Sequence, residues 1–321
     1  SGLVSSNKFI IHKIKRSPFV IFEIFKLISR YDVIHIHSFW SLFVLQTLVI
    51  SLIINKKIIM TPHGMLTKKA CSNKKLKFLL APLIQAILKK ISLFHFLTND
   101  EYHETSQYLN KKNIKNFIIQ SNWINVKEKF ISSQKKIFEK DSFNLVFLGR
   151  VHPVKNLSLQ IELIQKLNSK NIKARLYLVG PIQDRNYYKN LLSQISDYKI
   201  KDFIYFIGPI YDQSKFEYIY QADICLLTSK FECNSMTALE VMKIGGILIA
   251  TKDCSLSEAN NHGAIKEVDS DIDSLLSTVS QILLSDNKTK LTLRKKAKLY
   301  VKNFYSDKSA LRTFQKIYFD I

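Results

Sequence analysis

The chain has 321 residues, enough for about two domains at roughly 150 residues each. Hydrophobic residues make up 46% of it, with 21 Phe and 14 Tyr, which excludes a disordered chain and supplies two packed cores. The formal net charge is +22, but only seven of the 48 basic residues are arginines and the lysines run along the whole length. That distribution disfavours a dedicated nucleic-acid binder, in which arginines cluster with aromatics on one element. Two readings of the charge stand: lysine enrichment that accompanies Asn and Ile in an AT-rich genome, or an acidic partner such as a membrane or a phosphorylated substrate. The four cysteines, Cys71, Cys225, Cys233 and Cys254, form no C-x-x-C pair and no zinc spacing with histidine, so they read as the separate reduced thiols of a cytosolic protein.

The opening SGLVSSNK has no Met and no signal-peptide pattern, and reads as the start of a fragment or a processed chain. Next, YDVIHIHSFW and KKIIMTPHGML are short apolar strands that each end in polar residues at a loop. The run SLFVLQTLVISLIIN between them is interrupted by Gln46, Thr47 and Ser51 and falls short of the ~20 residues that span a bilayer, so it predicts a buried helix. A lysine-rich helix from about Lys74 to Ile91 precedes a third strand near Leu93–Thr98. Its lysines suit contact with an anionic membrane surface, although core packing explains most of its apolar residues. The rhythm is lost between about Asn122 and Asp141, which reads as a linker.

A second series follows: FNLVFLGR, KARLYLVG, FIYFIG, DICLLTS and GGILIAT are strand-like, separated by helices such as Leu157–Ser169 and Tyr187–Ser196. Continuous apolar strands alternating with helices indicate parallel sheets covered on both faces, here two doubly wound α/β domains in tandem. Ligands in such sheets lie beyond the carboxyl ends of the strands, where the polar residues fall.

The stretch FECNSMTALEVMKIGG puts Glu232 in a polar turn and Glu240 on the helix that follows, predicted over Met236–Lys243 with Asn234 or Ser235 as its N-cap. Salt-bridge decoration of a solvated face is one reading, and a pocket that grips a polyol is the other. A carboxylate suits a vicinal diol because it accepts two hydrogen bonds at once.

Together and in this order, DVIHIH, TPHGM, FLGRVHPVKNL, LYLVG, FIYFIGPI, ADICLLTSKFE and the E-x7-E of Glu232 and Glu240 resemble the retaining GT-B glycosyltransferases of family 4. The resemblance covers about Asp32 to Tyr318 and implies a GT-B fold, two Rossmann-like domains facing a central cleft. It places an acceptor-side domain at 1–125, joined by the C-terminal helix 306–321, and a nucleotide-sugar-binding domain at 126–305. The family's N-terminal strand and glycine-rich turn have no counterpart here, and the loop after Glu232 is Cys233-Asn234-Ser235-Met236 where the family is glycine-rich.

The resemblance implies site roles. Arg150 and Lys155, in LGRVHPVKN, would neutralise the leaving diphosphate, Arg as a bidentate clamp and Lys as a mobile charge. The first-turn amides of Ser235, Met236 and Thr237 would hold a phosphate at the helix N-terminus. Glu232 and Asn234 would face the donor sugar, Glu240 the ribose, and Ile210 the nucleobase side. His63, in TPHGM beside the permissive Gly64, would contact the donor sugar, so Glu232 and His63 are the expected catalytic pair. His35 and His37, two apart on a strand, invite a metal reading, but no third ligand is spaced to join them and packing against a helix is expected; His152 and His262 carry no role. No Asp-x-Asp motif lies in a suitable loop, so metal-independent transfer without a cofactor is expected.

The implied activity is retaining transfer from a UDP- or GDP-sugar to a lipid-linked or polysaccharide acceptor in bacterial surface-glycan assembly. The implied place is the cytoplasm, at the inner face of the cell membrane, with peripheral contact to anionic lipid and none to nucleic acid. Two other classes stand beside it, a GT-B-like sugar-nucleotide epimerase and a non-catalytic basic binding module. A Rossmann dehydrogenase is disfavoured, because no G-x-G-x-x-G follows any predicted strand.

Overall fold

A computed structural model describes residues 20–67, 81–109, 111–124, 136–139, 141–305 and 307–319. The opening SGLVSSNK, the first half of the helix read from Lys74, Cys71 and residues 125–135 of the linker lie outside the described residues. The chain divides into two compact units, Ser1–Ile119 with Tyr318–Ile321, and Gln120–Ile317. The sequence reading instead places the boundary at residue 125 and assigns all of 306–321 to the first unit.

In the first unit the order is α1 (Val20–Ile28), β1 (Val33–His37), α2 (Leu42–Ile53), β2 (Lys57–Thr61), α3 (Ala81–Leu88), β3 (Leu93–Phe96), α4 (Asn99–Leu109) and β4 (Phe117–Ile119). The strands form one parallel sheet in the order β1-β2-β3-β4. Ile36, Ile58, Met60, Phe94 and Phe96 from the strands pack with Leu48, Leu88 and Leu109 from the helices. Each such side chain contributes about 1.5–3 kcal/mol when taken out of water. Helix α2 begins at Ser41, whose hydroxyl caps Val44 N–H at 3.1 Å.

One expectation changes here. Helix α2 is not buried all round: Leu42, Phe43, Val49 and Ile53 are exposed, while Leu48, Ile50 and Ser51 are buried. It lies on one face of a sheet, so only one stripe of this mostly apolar helix can reach the core. No helix among the described residues is long and apolar enough to cross a membrane.

The second unit runs β5 (Phe143–Leu148), α5 (Leu157–Ser169), β6 (Ala174–Val179), α6 (Arg185–Asp197), β7 (Ile204–Gly208), α7 (Lys215–Gln221), β8 (Ile224–Leu227), α8 (Met236–Ile244), β9 (Leu248–Thr251), α9 (Ser257–Asn261), β10 (Lys266–Val268), α10 (Ile272–Leu283) and α11 (Asn287–Phe304). A last helix, α12 (Asp307–Phe319), ends with Tyr318 in the first unit. The sheet is parallel in the order β10-β9-β8-β5-β6-β7. Successive strand residues serve opposite cores. Leu145 and Phe147 of β5, Leu176 and Leu178 of β6, and Ile224 and Leu226 of β8 join α5 and α10 on one face. Val146 and Leu148, Tyr177 and Val179, and Cys225 and Leu227 join α8 and α11 on the other. Two buried faces explain why these strands read as unbroken apolar runs. The short strands β4 and β10 are additions to the sequence reading, each of three residues.

The carboxyl ends of β5 and β6 approach so closely that only glycine fits. Gly180 has φ +151°, and a Cβ there would lie 1.9 Å from the carbonyl oxygen of Gly149. Gly180→Ala is therefore expected to destabilise the second unit by at least about 2 kcal/mol through backbone displacement, read as a lower urea midpoint.

Candidate functional site

In the second sheet the chain proceeds from β5 through β6 to β7, then returns to place β8 on the other side of β5. The loops leaving β5 and β8 thus diverge at a topological switch point, where doubly wound sheets open a crevice. The β5 loop carries Arg150 to Asn156 and the β8 loop Thr228 to Ser235.

Both loops are built locally. His152 Nδ1 accepts from Val154 N–H at 3.2 Å, and Pro153 starts a short 3-10 turn that ends at Lys155. Asn156 follows in the left-handed region at φ 50° and turns the chain into α5. The loops are then tied together. Lys230 N–H donates to Val154 O at 2.8 Å, and the Thr228 hydroxyl lies 3.0 Å from Lys155 O. The buried Gln160 amide donates to Thr228 Oγ1 at 2.8 Å.

These ties bring the Lys155 ammonium onto the Glu232 carboxylate, both side chains largely buried. The same carboxylate oxygen accepts from Ser229 Oγ at 2.7 Å. Beside it, Ser235 caps α8 by accepting from Ala238 N–H at 3.3 Å, and the Thr237 hydroxyl donates to Leu148 O at 3.4 Å. That last bond seats the first turn of α8 against the end of β5. Met236 and Thr237 are the first two residues of the helix, so their N–H groups have no intrahelical partner and face the loop side. The side-chain amide nitrogen of Asn234 is buried without a hydrogen-bond partner.

Glu240 sits on the second turn of α8, about 6 Å along the axis from Met236. Its carboxylate is paired with Lys215 of α7 at 2.6 Å. Both glutamates of the E-x7-E therefore have a lysine partner, so the ion-pair and the pocket readings describe the same residues. Lys215 and Ser229 escaped the sequence reading: Ser229 lies in ADICLLTSKFE but was given no role there, and Lys215 lies in no motif and meets Glu240 only through the fold. Arg150 stands apart from the pair, its guanidinium donating to Gln183 Oε1 at 2.6 Å. Ile210, beyond β7, is half-buried against the core of the α8 face.

The first unit holds the remaining predicted residue, His63, in a cluster that the sequence reading did not anticipate. His35 and His37 do not simply pack against a helix. Their rings stack at 4.3 Å, and His37 Nδ1 lies 2.9 Å from His63 Nε2. His35 bridges Tyr318 Oη at 2.6 Å and Thr61 Oγ1 at 2.7 Å, and Thr61 continues to His95 Nδ1 at 2.9 Å. The pairing of β1 with β2, His37 opposite Thr61, brings these side chains to one end of the sheet, a parallel register that spacing along the chain does not reveal. Among the described residues no three His, Cys, Asp or Glu side chains form a group that could hold a metal ion. His152 serves as a cap and His262 packs on Tyr300 and Phe304. Cys225 and Cys254 are free thiols, and burial pushes both up to about 12.

Burial, then the neighbouring imidazoles, depresses His35 to about 3 and His63 to about 4, and burial lowers His37 as well. Above the ordinary value of 6.5 these rings are neutral folded or unfolded. Below it the unfolded chain takes up protons that the folded cluster refuses, so stability is lost as pH falls. The first unit is expected to weaken between pH 6.5 and 4. Urea unfolding followed by Trp40 fluorescence in a Trp123→Phe background checks this, and a flat midpoint across that window would contradict it.

The sequence of residues 128–300 matches the family model described as glycosyl transferases group 1. No curated protein matches the sequence. Among solved structures, the chain is similar to HepE from Anabaena in complex with UDP-glucose, at 13% identity and TM-score 0.78 over 94% of this chain and 82% of that one. It is similar to sucrose-phosphate synthase from Thermosynechococcus elongatus at 16% identity and TM-score 0.77, over 95% and 79%. A glycosyltransferase from Rickettsia africae shares 16% identity at TM-score 0.71, over 97% and 83%. These likenesses show a GT-B fold with its two parallel sheets. With the family model matching more than half of its length, the chain belongs to the glycosyl transferases group 1.

Proposed function

We propose that this glycosyltransferase moves a sugar, with retention of configuration as in family 4, from a nucleoside-diphosphate donor held by its second unit. The observation that carries the reading is the meeting of Lys155, Glu232 and the first turn of α8 at the β5/β8 switch point. Lys155 and the amides of Met236 and Thr237 supply positive charge for a diphosphate, with Ser235 ordering the turn. An anion bound there would draw the Lys155 ammonium from Glu232, freeing that carboxylate for sugar hydroxyls together with Asn234. Glu240 would take the ribose hydroxyls and Ile210 would flank the base. Arg150 would have to leave Gln183 to join the phosphates. In the first unit, His63 would offer a neutral imidazole to a sugar hydroxyl.

The group-1 family match and the similarity of the fold to a protein solved with UDP-glucose support a UDP-sugar, with a GDP-sugar the other donor in view. A lipid-linked or polysaccharide acceptor in bacterial surface-glycan assembly, reached at the inner face of an anionic membrane, is consistent with the charge of +22. The reading includes transfer without a metal ion.

Thermal-shift titration of the chain with a panel of nucleoside diphosphates and their sugars tests the reading. One base is expected to raise the midpoint selectively, and a flat response across the panel would refute it. Glu240→Ala should weaken that nucleotide about tenfold, the equivalent of about 1.4 kcal/mol. Lys155→Ala should lower turnover by ~10²–10³ with retained folding, as expected when a donor to a developing anion is lost. Epimerised donor without acceptor would instead identify an epimerase.

A further inference from the structure

The loop that carries His63 is held in an uncommon shape from several sides. His63 has φ 53° and Gly64 φ 72°, and Ser38, at the end of the neighbouring strand, has φ 74°. A non-glycine residue in the left-handed region costs on the order of 1–3 kcal/mol and persists only where its surroundings over-determine it. Here they do. Gly64 N–H donates to Glu101 Oε1 at 2.6 Å, and Leu97 N–H donates to the other oxygen of the same buried carboxylate at 2.7 Å. Thr67 Oγ1 donates to Gly64 O at 2.9 Å, Trp40 Nε1 to Met65 O at 2.7 Å, and Ser38 N–H to Thr61 O at 2.9 Å. The backbone of His63 is thus anchored through β2, α4 and the end of β1, which leaves its ring as the part still to be oriented.

His37 reaches that ring. Its Nδ1 lies 2.9 Å from His63 Nε2, and the two rings are near parallel, 29° apart at 5.2 Å between centroids. His37 is held in turn by stacking on His35, whose two nitrogens are both engaged, by Tyr318 and Thr61. Two neutral imidazoles joined nitrogen to nitrogen share one proton, so one donates and the other accepts. That contact uses His63 Nε2 and leaves Nδ1 as the nitrogen offered to anything else. The low basicity of the cluster keeps both rings neutral at pH 7, where a second proton between them would be repulsive.

We propose that His37 is a positioning residue for His63: through the Nδ1–Nε2 hydrogen bond and ring stacking it fixes the tautomer of His63 and the direction of its remaining nitrogen. The inference rests on the reading of His63 as a group that meets a sugar hydroxyl. Nothing in it requires His37 itself to touch substrate. A hydroxyl can donate to an imidazole nitrogen or accept from its N–H, and a ring free to exchange tautomers presents the wrong partner part of the time. Fixing one tautomer removes that loss.

The test is long-range 1H–15N NMR of the histidine side chains in the full chain, on wild type, His37→Ala and His37→Asn. Asparagine places an amide where the His37 Nδ1 stands. Wild type and His37→Asn are expected to show His63 in a single neutral tautomer at pH 7.5, and His37→Ala a mixture. Turnover of the nucleotide sugar that the thermal-shift panel selects should follow: kcat falls about 10- to 100-fold in His37→Ala with little change in KM, and recovers in His37→Asn. Unchanged His63 resonances in a folded His37→Ala protein would overturn the inference and leave the role of His63 standing. Wild-type turnover in His63→Ala would instead sink the reading beneath it. Should His37→Ala not fold, the Asn variant still decides, because a mixed tautomer there contradicts the proposal.

Discussion

The contact between Lys155 and Glu232 is the interaction on which the candidate site of the second unit is built. Neither residue would be costly on a solvated loop, but both are largely withdrawn from water, and a charge so placed needs its partner. The pair exists because two loops leave adjacent parallel strands in opposite directions across the sheet, and because Thr228, Gln160 and the Lys230–Val154 bond bind those loops together. An arrangement of this kind can exchange one anion for another. Glu232 balances Lys155, and under the proposed function a diphosphate would be the competing ligand for the same ammonium.

The sheet makes that precision attainable. Strands buried on both faces alternate between two cores, so each strand end is fixed by packing on either side. Where β5 and β6 finish, Gly180 allows its backbone to approach the carbonyl of Gly149 more closely than any side chain would permit. The seat of α8 against Leu148 follows from the same geometry, with Ser235 ordering the first turn and Gly245 closing the last in the left-handed conformation.

The first unit solves a different problem. Its strand ends collect four histidines, and burial keeps the rings of His35, His37 and His63 neutral rather than cationic. Neutral imidazoles hydrogen-bond in chains without the desolvation cost of a charge, at the expense of stability in acid. The one buried carboxylate described beside them, Glu101, is spent on backbone amides, where it holds a strained turn in place. Charge therefore organises the candidate site of the second unit, and hydrogen bonds between neutral groups organise the cluster of the first.

Periodicity and composition alone led to two doubly wound α/β units, to helix Leu157–Ser169 with both its limits, and to Ser235 as one of two candidate caps of α8. These are local or nearly local properties: apolar runs need two covered faces, and a cap acts on amides three residues away. The motifs also marked Lys155, Glu232, Glu240 and His63 as residues of interest. That Lys155 rests on Glu232, that Lys215 holds Glu240, and that His37 meets His63 were decided only in the tertiary structure. Each joins segments 25 to 77 residues apart through strand order and register, which no single stretch of chain encodes. The exposed stripe of α2 was illegible for the same reason, since an apolar helix does not say how many of its sides will find a neighbour.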